Sequence, residues 1–87
     1  MPKVIVYSKA NCQQCSLTEM ALKKKGVMYS VEKIDEDEDA LAFVRSLGYG
    51  SAPVVYVDND GKVSHWSQFR KGRIDELAAG ARKVQRD

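Results

Sequence analysis

The chain has 87 residues, 44% hydrophobic and 30% charged, with a formal net charge of +2. That length supports a single domain (residues 1–87) near the lower end of what one core stabilises, and the composition excludes a disordered chain. The slight charge, with no basic stripe interleaved with aromatics, argues against nucleic acid as a partner, and apolar runs of only a few residues are far too short to cross a membrane.

Val4 to Tyr7 is a β-branched and aromatic run without polar alternation, as expected of a strand buried on both faces. Lys9-Ala10-Asn11 reads as a turn, with a helix starting around Cys12 and its inward stripe on Cys15 or Ser16, Leu17, Met20 and Ala21. Lys23, Lys24 and Lys25 favour the negative end of that helix, and Gly26 stops it. Tyr29 to Ile34 supplies a second strand. The acids Glu36 to Asp39 then precede Leu41, Val44 and Leu47, which fits a solvated cap on a second helix. Pro53 to Val57 is a third strand, opened by its proline. Asp58-Asn59-Asp60-Gly61 is a hairpin signal leading back through Lys62 to Trp66. Ile74, Leu77, Ala78, Ala81 and Val84 mark a last amphipathic helix, locally weakened by Gly80. The order is βαβαββα. A parallel βαβ unit followed by an antiparallel hairpin makes an α/β fold, a four-stranded mixed sheet flanked by three helices, of thioredoxin/glutaredoxin-like architecture.

The chain's two cysteines, Cys12 and Cys15, fall where the first strand empties into the first helix, the placement of a thioredoxin-like redox pair. Bridging them closes a loop too small to constrain the unfolded chain much, so a purely structural disulfide explains them poorly. Met1-Pro2-Lys3 runs directly into the strand pattern with no signal-like segment, so a cytoplasmic location is expected, where such pairs are transient and catalytic. In the first helical turn Cys12 would meet unpaired backbone amides and the positive end of the helix dipole, both of which favour a thiolate. Cys12 is therefore the expected nucleophile, acidified relative to free cysteine. Cys15, one turn on and buried, is the expected resolving thiol, and Lys9 is a candidate cation beside them.

A metal site is the main chemical alternative. Two sulfurs and His65 fall short of the four ligands of a closed zinc site, and no metal is expected. In a thioredoxin-like arrangement the Ala52–Pro53 bond is cis and lies beside the cysteines, leaving the Ala52 backbone free to pair with an extended partner peptide. An ordinary trans proline opening a strand is the alternative. Trp66 and Phe69 lie at the end of the last strand and in the loop after it, where aromatics serve either a contact surface or the cap of a small core. His65 is expected to tie that loop through Ser67.

Taken together, Val6-Tyr7-Ser8-Lys9 followed by Cys12-Gln13-Gln14-Cys15, Leu47-Gly48-Tyr49 ahead of Ala52-Pro53-Val54-Val55, and His65-Trp66-Ser67-Gln68-Phe69-Arg70 resemble the NrdH-type redoxins from about Val4 to Leu77. These proteins are glutaredoxin-like in sequence and thioredoxin-like in behaviour. The resemblance implies a thiol–disulfide oxidoreductase that passes electrons to the large subunit of class Ib ribonucleotide reductase. It further implies recycling by thioredoxin reductase, a flavoprotein, with NADPH as the ultimate source and no cofactor bound to the chain itself. By position it implies Cys12 as nucleophile, Cys15 as resolving thiol, Pro53 as the cis-proline, and Trp66, Ser67, Phe69 and Arg70 as the loop that meets the reductase. Relatives commonly carry proline at the Ala10 position, glycine at Gln68 and proline at Lys71, so a looser turn before Cys12 and a bulkier, less rigid loop are expected here.

The neighbouring possibility is a glutathione-dependent glutaredoxin. Such enzymes commonly hold the tripeptide's ammonium group with an acidic pair after the last strand. Here Trp66 to Lys71 contains no acid, and Arg70 and Lys71 would repel that group. A non-catalytic interaction module whose thiols sense oxidation is the remaining alternative. The default expectation for oligomeric state is a monomer, since no large apolar patch is evident.

Overall fold

The computed structural model describes residues 2–86, with side chains only as far as position 80. Seven elements follow one another: β1 (Lys3–Ser8), α1 (Gln13–Lys24), β2 (Ser30–Lys33), α2 (Glu38–Ser46), β3 (Val54–Asn59), β4 (Lys62–Ser67) and α3 (Lys71–Arg86). The expected order and the mixed four-stranded sheet are both present. The strands lie in the order β2-β1-β3-β4, with β1 parallel to β2 and the remaining neighbours antiparallel.

Strand alternation divides the core into two layers. Val4 and Val6 of β1, Val55 and Val57 of β3 and Trp66 of β4 face α1 and α3, where Leu22, Ile74 and Ala78 are buried against them. On the opposite face Tyr7 and Val54 pack with Ala40 and Val44 of α2, and Cys15 joins this second cluster from the start of α1. Both faces of β1 are thus covered, which is why its sequence lacks the polar alternation of a surface strand.

The inward stripe of α1 differs from the expected one. Cys15, Thr18 and Leu22 are buried, whereas Leu17 is 39% and Met20 64% exposed. The helix starts at Gln13 with Cys15 already turned inward, and that phase carries positions 18 and 22 to the core. Thr18 tolerates burial because its hydroxyl donates to the Gln14 carbonyl at 2.8 Å, satisfying its polar group within the helix. At the far end Gly26 takes φ +74°, and the Val27 N–H reaches back to the Leu22 carbonyl at 3.0 Å.

The acidic run ahead of α2 is a cap, as its composition suggested. The Asp37 carboxylate accepts the amides of Asp39 and Ala40 at 2.9 and 3.2 Å. The hairpin turn is tighter than expected: β3 extends to Asn59, leaving only Asp60 and Gly61, at φ 57° and 91°, between the strands. Both central residues take positive φ, as in the mirror-image turns that match the twist of a hairpin. In α3, Ile74 and Ala78 are buried and Leu77 packs beside them, while the side chains of Ala81 and Val84 lie outside the described residues.

Candidate active site

The cysteine pair sits at the junction of β1 and α1, at one end of the sheet. Cys12 is the N-cap of α1 rather than a residue of its first turn, with φ −116° and ψ 102°. Its Sγ accepts the Cys15 N–H at 3.2 Å, the bond a capping oxygen usually makes. The two sulfurs are bonded to each other, and their Cα atoms are 5.2 Å apart. Cys12 is half-buried, while Cys15 is 2% exposed. Access alone therefore separates a sulfur that can meet a partner from one that can only reach its neighbour.

Three segments converge on this cap. The Ala52–Pro53 bond is cis, and Ala52 packs in the same apolar cluster as Cys15, with Cys12 against it. The loop after β4 is fastened to that proline segment twice: the Gln68 N–H donates to the Pro53 carbonyl at 2.8 Å, and Gln68 Nε2 to Ser51 Oγ at 3.0 Å. It is fastened to α1 as well, because the Phe69 N–H donates to Gln14 Oε1 at 3.0 Å. Arg70 Nε closes the loop on itself through the Ser67 carbonyl at 3.0 Å. Gln68 holds φ +69°, a region where a non-glycine residue needs support, and these contacts supply it. The bulkier residue at this position therefore pins the loop where looseness was expected.

The turn before Cys12 shows a similar reversal. The Ala10 N–H, a donor proline would lack, donates to Asp35 Oδ2 at 2.9 Å. Lys9 is exposed and lines a groove of about 470 Å³ beside the sulfurs, with Asn11, Ser16, Glu19 and Lys33.

Trp66 is placed beneath the loop and not on it. It is 5% exposed, belongs to the core cluster, and has the Arg73 guanidinium 4.9 Å from its ring centroid. Its indole N–H is buried and has no hydrogen-bond partner among the described residues. Phe69 is half-buried against the same core cluster as Trp66, and Arg70 is exposed. His65 does not tie the loop through Ser67. Alternation along β4 turns it to the α2 face, where Nδ1 shares a 2.8 Å hydrogen bond with the Tyr49 hydroxyl and the ring stacks on Tyr56. Tyr7 lies in the cysteine-containing cluster. Burial, the nearby Glu32 charge and Tyr56 push its phenol above the ordinary range, so it brings no negative charge near the sulfurs.

Gln14, Ser51 and Asp35 are the site contributors that sequence reasoning did not single out. Nothing at their own positions distinguishes them, since each acts through a partner distant in sequence. Among the described residues no cluster of three or more histidine, cysteine or carboxylate side chains could hold a metal ion. Among the described residues no helix is long and apolar enough to cross a membrane.

A partly accessible capping cysteine bonded to a buried one at the end of a thioredoxin-like sheet defines a thiol–disulfide oxidoreductase. The glutaredoxin family model matches residues 4–62. The glutaredoxin-like protein NrdH of Salmonella typhimurium is 32% identical over 74 residues, 85% of this chain and 86% of that protein. Its counterpart in Lactococcus lactis subsp. cremoris is 32% identical over 75 residues, 86% of this chain and 99% of that one. In structure, the NrdH-redoxin of Escherichia coli superposes with a TM-score of 0.76 at 28% identity, covering 86% of this chain and 93% of its own. The chain belongs to the glutaredoxin family, among its NrdH-type redoxins.

Proposed function

We propose that this dithiol carrier delivers electrons to the large subunit of a class Ib ribonucleotide reductase in the cytoplasm, as a monomer, and is reset by thioredoxin reductase at the expense of NADPH. The Cys12 thiolate attacks one sulfur of the partner's disulfide, and the partner's other sulfur leaves and takes a proton. Cys15 loses its proton and attacks Cys12 Sγ, expelling the partner's second sulfur as a thiol. Two electrons have then passed to the partner, with one proton from Cys15 and one from solvent, and the Cys12–Cys15 disulfide remains for the flavoprotein reductase to reduce. No step calls for a cofactor held by the chain.

The observation that carries this reading over a glutathione-dependent one lies in α3. Asp75 is the first acid after Trp66, and it is already engaged. Lys71 Nζ donates to Oδ2 at 3.0 Å, and Lys25 Nζ forms an ion pair with Oδ1 at 3.3 Å. An incoming ammonium group finds no free carboxylate in this stretch, only the cations Arg70 and Lys71. The relative from Escherichia coli whose structure is similar is described as having a thioredoxin-like activity profile, which points the same way.

A coupled assay tests the proposal. NADPH consumption is followed with thioredoxin reductase, and separately with glutathione plus glutathione reductase, using a disulfide-containing tail of the large subunit as acceptor. Turnover is expected in the first system, and turnover confined to the second would overturn the reading. The midpoint potential should lie nearer the thioredoxin value of about −270 mV than the roughly −200 mV of glutaredoxins, a gap of about 3 kcal/mol for two electrons.

A further inference from the structure

The turn that carries Cys12 has little packing to hold it, because Lys9, Ala10 and Asn11 are all exposed. Asn11 sits at φ +56°, a left-handed conformation that asparagine takes more readily than most non-glycine residues. The bond from the Ala10 N–H to Asp35 Oδ2 links this turn to the segment leaving β2. That segment is itself anchored: the Ile34 N–H donates to the Ser8 carbonyl at 2.9 Å, and Asp37 caps α2. Asp35 therefore projects from a fixed frame onto an exposed turn, three residues before α2 begins.

The geometry points to Asp35 as a positioning residue for the thiol chemistry, its carboxylate holding the Lys9–Asn11 turn so that Cys12 stays at the helix cap with its sulfur on the Cys15 amide. The inference rests on Cys12 being the attacking thiol. Asp35 exerts two opposed effects. Its tether keeps the sulfur beside an N–H that stabilises the thiolate, while its negative charge disfavours that thiolate. Lys9, Lys33 and Glu19, which line the groove at Cys12, add their own charges and stay constant when Asp35 alone is changed.

The two effects separate on comparing Asp35→Asn with Asp35→Ala. Both lack the charge, and only asparagine keeps an acceptor oxygen. The reduced full chain is alkylated with iodoacetamide across a range of pH, and the modified cysteine is identified by peptide mass. Near neutral pH, Asp35→Ala is expected to react at Cys12 on the order of threefold slower than Asp35→Asn, with its midpoint shifted to higher pH by about half a unit. Equal rates and midpoints in the two variants overturn the inference. Amide exchange in the unmodified chain gives a second reading that does not depend on either variant folding: the Ala10 N–H should be protected, and exchange at the rate of a free amide overturns the tether. Should the unmodified chain react first at Cys15, the assignment of Cys12 fails and the inference falls with it. A primed Cys12 indifferent to the variants sinks the tether alone.

Discussion

Gln14 accepts the amide hydrogen of Phe69 at 3.0 Å, although 55 positions separate them. One of the two residues between the cysteines thereby fixes the loop after β4. Such a bond between neutral groups contributes about 0.5–1.5 kcal/mol net. Gln14→Ala should free the loop, lowering kcat/KM with thioredoxin reductase about two- to tenfold. Cys12 alkylation by a small reagent should stay close to its original rate, since the sulfur's own amide contact remains. Stopped-flow reduction by the reductase, set beside iodoacetamide kinetics, checks this. A parallel fall in both rates would mean that Gln14 acts on the sulfur itself.

The roles of the two thiols give a sharper test. Cys15→Ser should accumulate a mixed disulfide between Cys12 and the partner, because the resolving attack is gone. Cys12→Ser should form no adduct, as Cys15 is 2% exposed and out of a partner's reach. Non-reducing gels with a partner disulfide distinguish them, and an adduct in the Cys12→Ser variant would reverse the assignment.

At Gln68 two effects nearly cancel. Gln68→Gly removes the cost of a side chain at φ +69°, worth up to about 1 kcal/mol, and loses the bond to Ser51, worth about as much. Thermal stability should change little. Ser51→Ala leaves the backbone cost in place and removes the bond, so it should lower the melting temperature while Gln68→Gly does not. Calorimetry of both variants decides the matter, and equal losses would show that the left-handed conformation costs nothing here.

The helix α1 shows how far the amino-acid order reaches and where it stops. Strand identity, the capping acids and the cysteine–proline pairing were legible because each depends on residues close in sequence or on one recurrent arrangement. The phase of α1 was not, because Leu17 and Met20 look more suitable for a core than Thr18. What decides it is Cys15 turning inward beneath the sheet end, a tertiary constraint that periodicity cannot register. The same limit applies to Asp35, Ser51 and the Gln14–Phe69 bond, which exist only once distant segments meet. His65 was misplaced for a simpler reason: position parity on β4 sends it to the face opposite Trp66, toward Tyr49 and Tyr56.

That phase carries its own prediction. Leu22→Ala removes a side chain with no exposed surface and should cost about 2–5 kcal/mol. Leu17→Ala and Met20→Ala should each fall within about 0.5 kcal/mol of the parent, as surface substitutions do. Urea unfolding of the three variants measures this. A large loss at Met20 with little at Leu22 would restore the stripe expected from sequence.

Asp75 joins the end of α1 to α3 through Lys25 and Lys71, and the hydrogen bond from Lys71, followed by the influence of Lys25, holds its carboxyl below the ordinary value of 3.8. A carboxyl with a depressed folded-state pKa stabilises fully above the unfolded pKa, and that stabilisation is lost as pH falls through the folded value. Asp75→Asn should therefore lower stability at neutral pH, and its deficit against the parent should shrink once the pH drops below about 4. The pair is solvent-accessible, so high salt should shrink the deficit too. Unfolding curves at neutral and acid pH, each at low and high salt, supply the comparison. A deficit that persists unchanged in acid would assign the role of Asp75 to packing instead of charge.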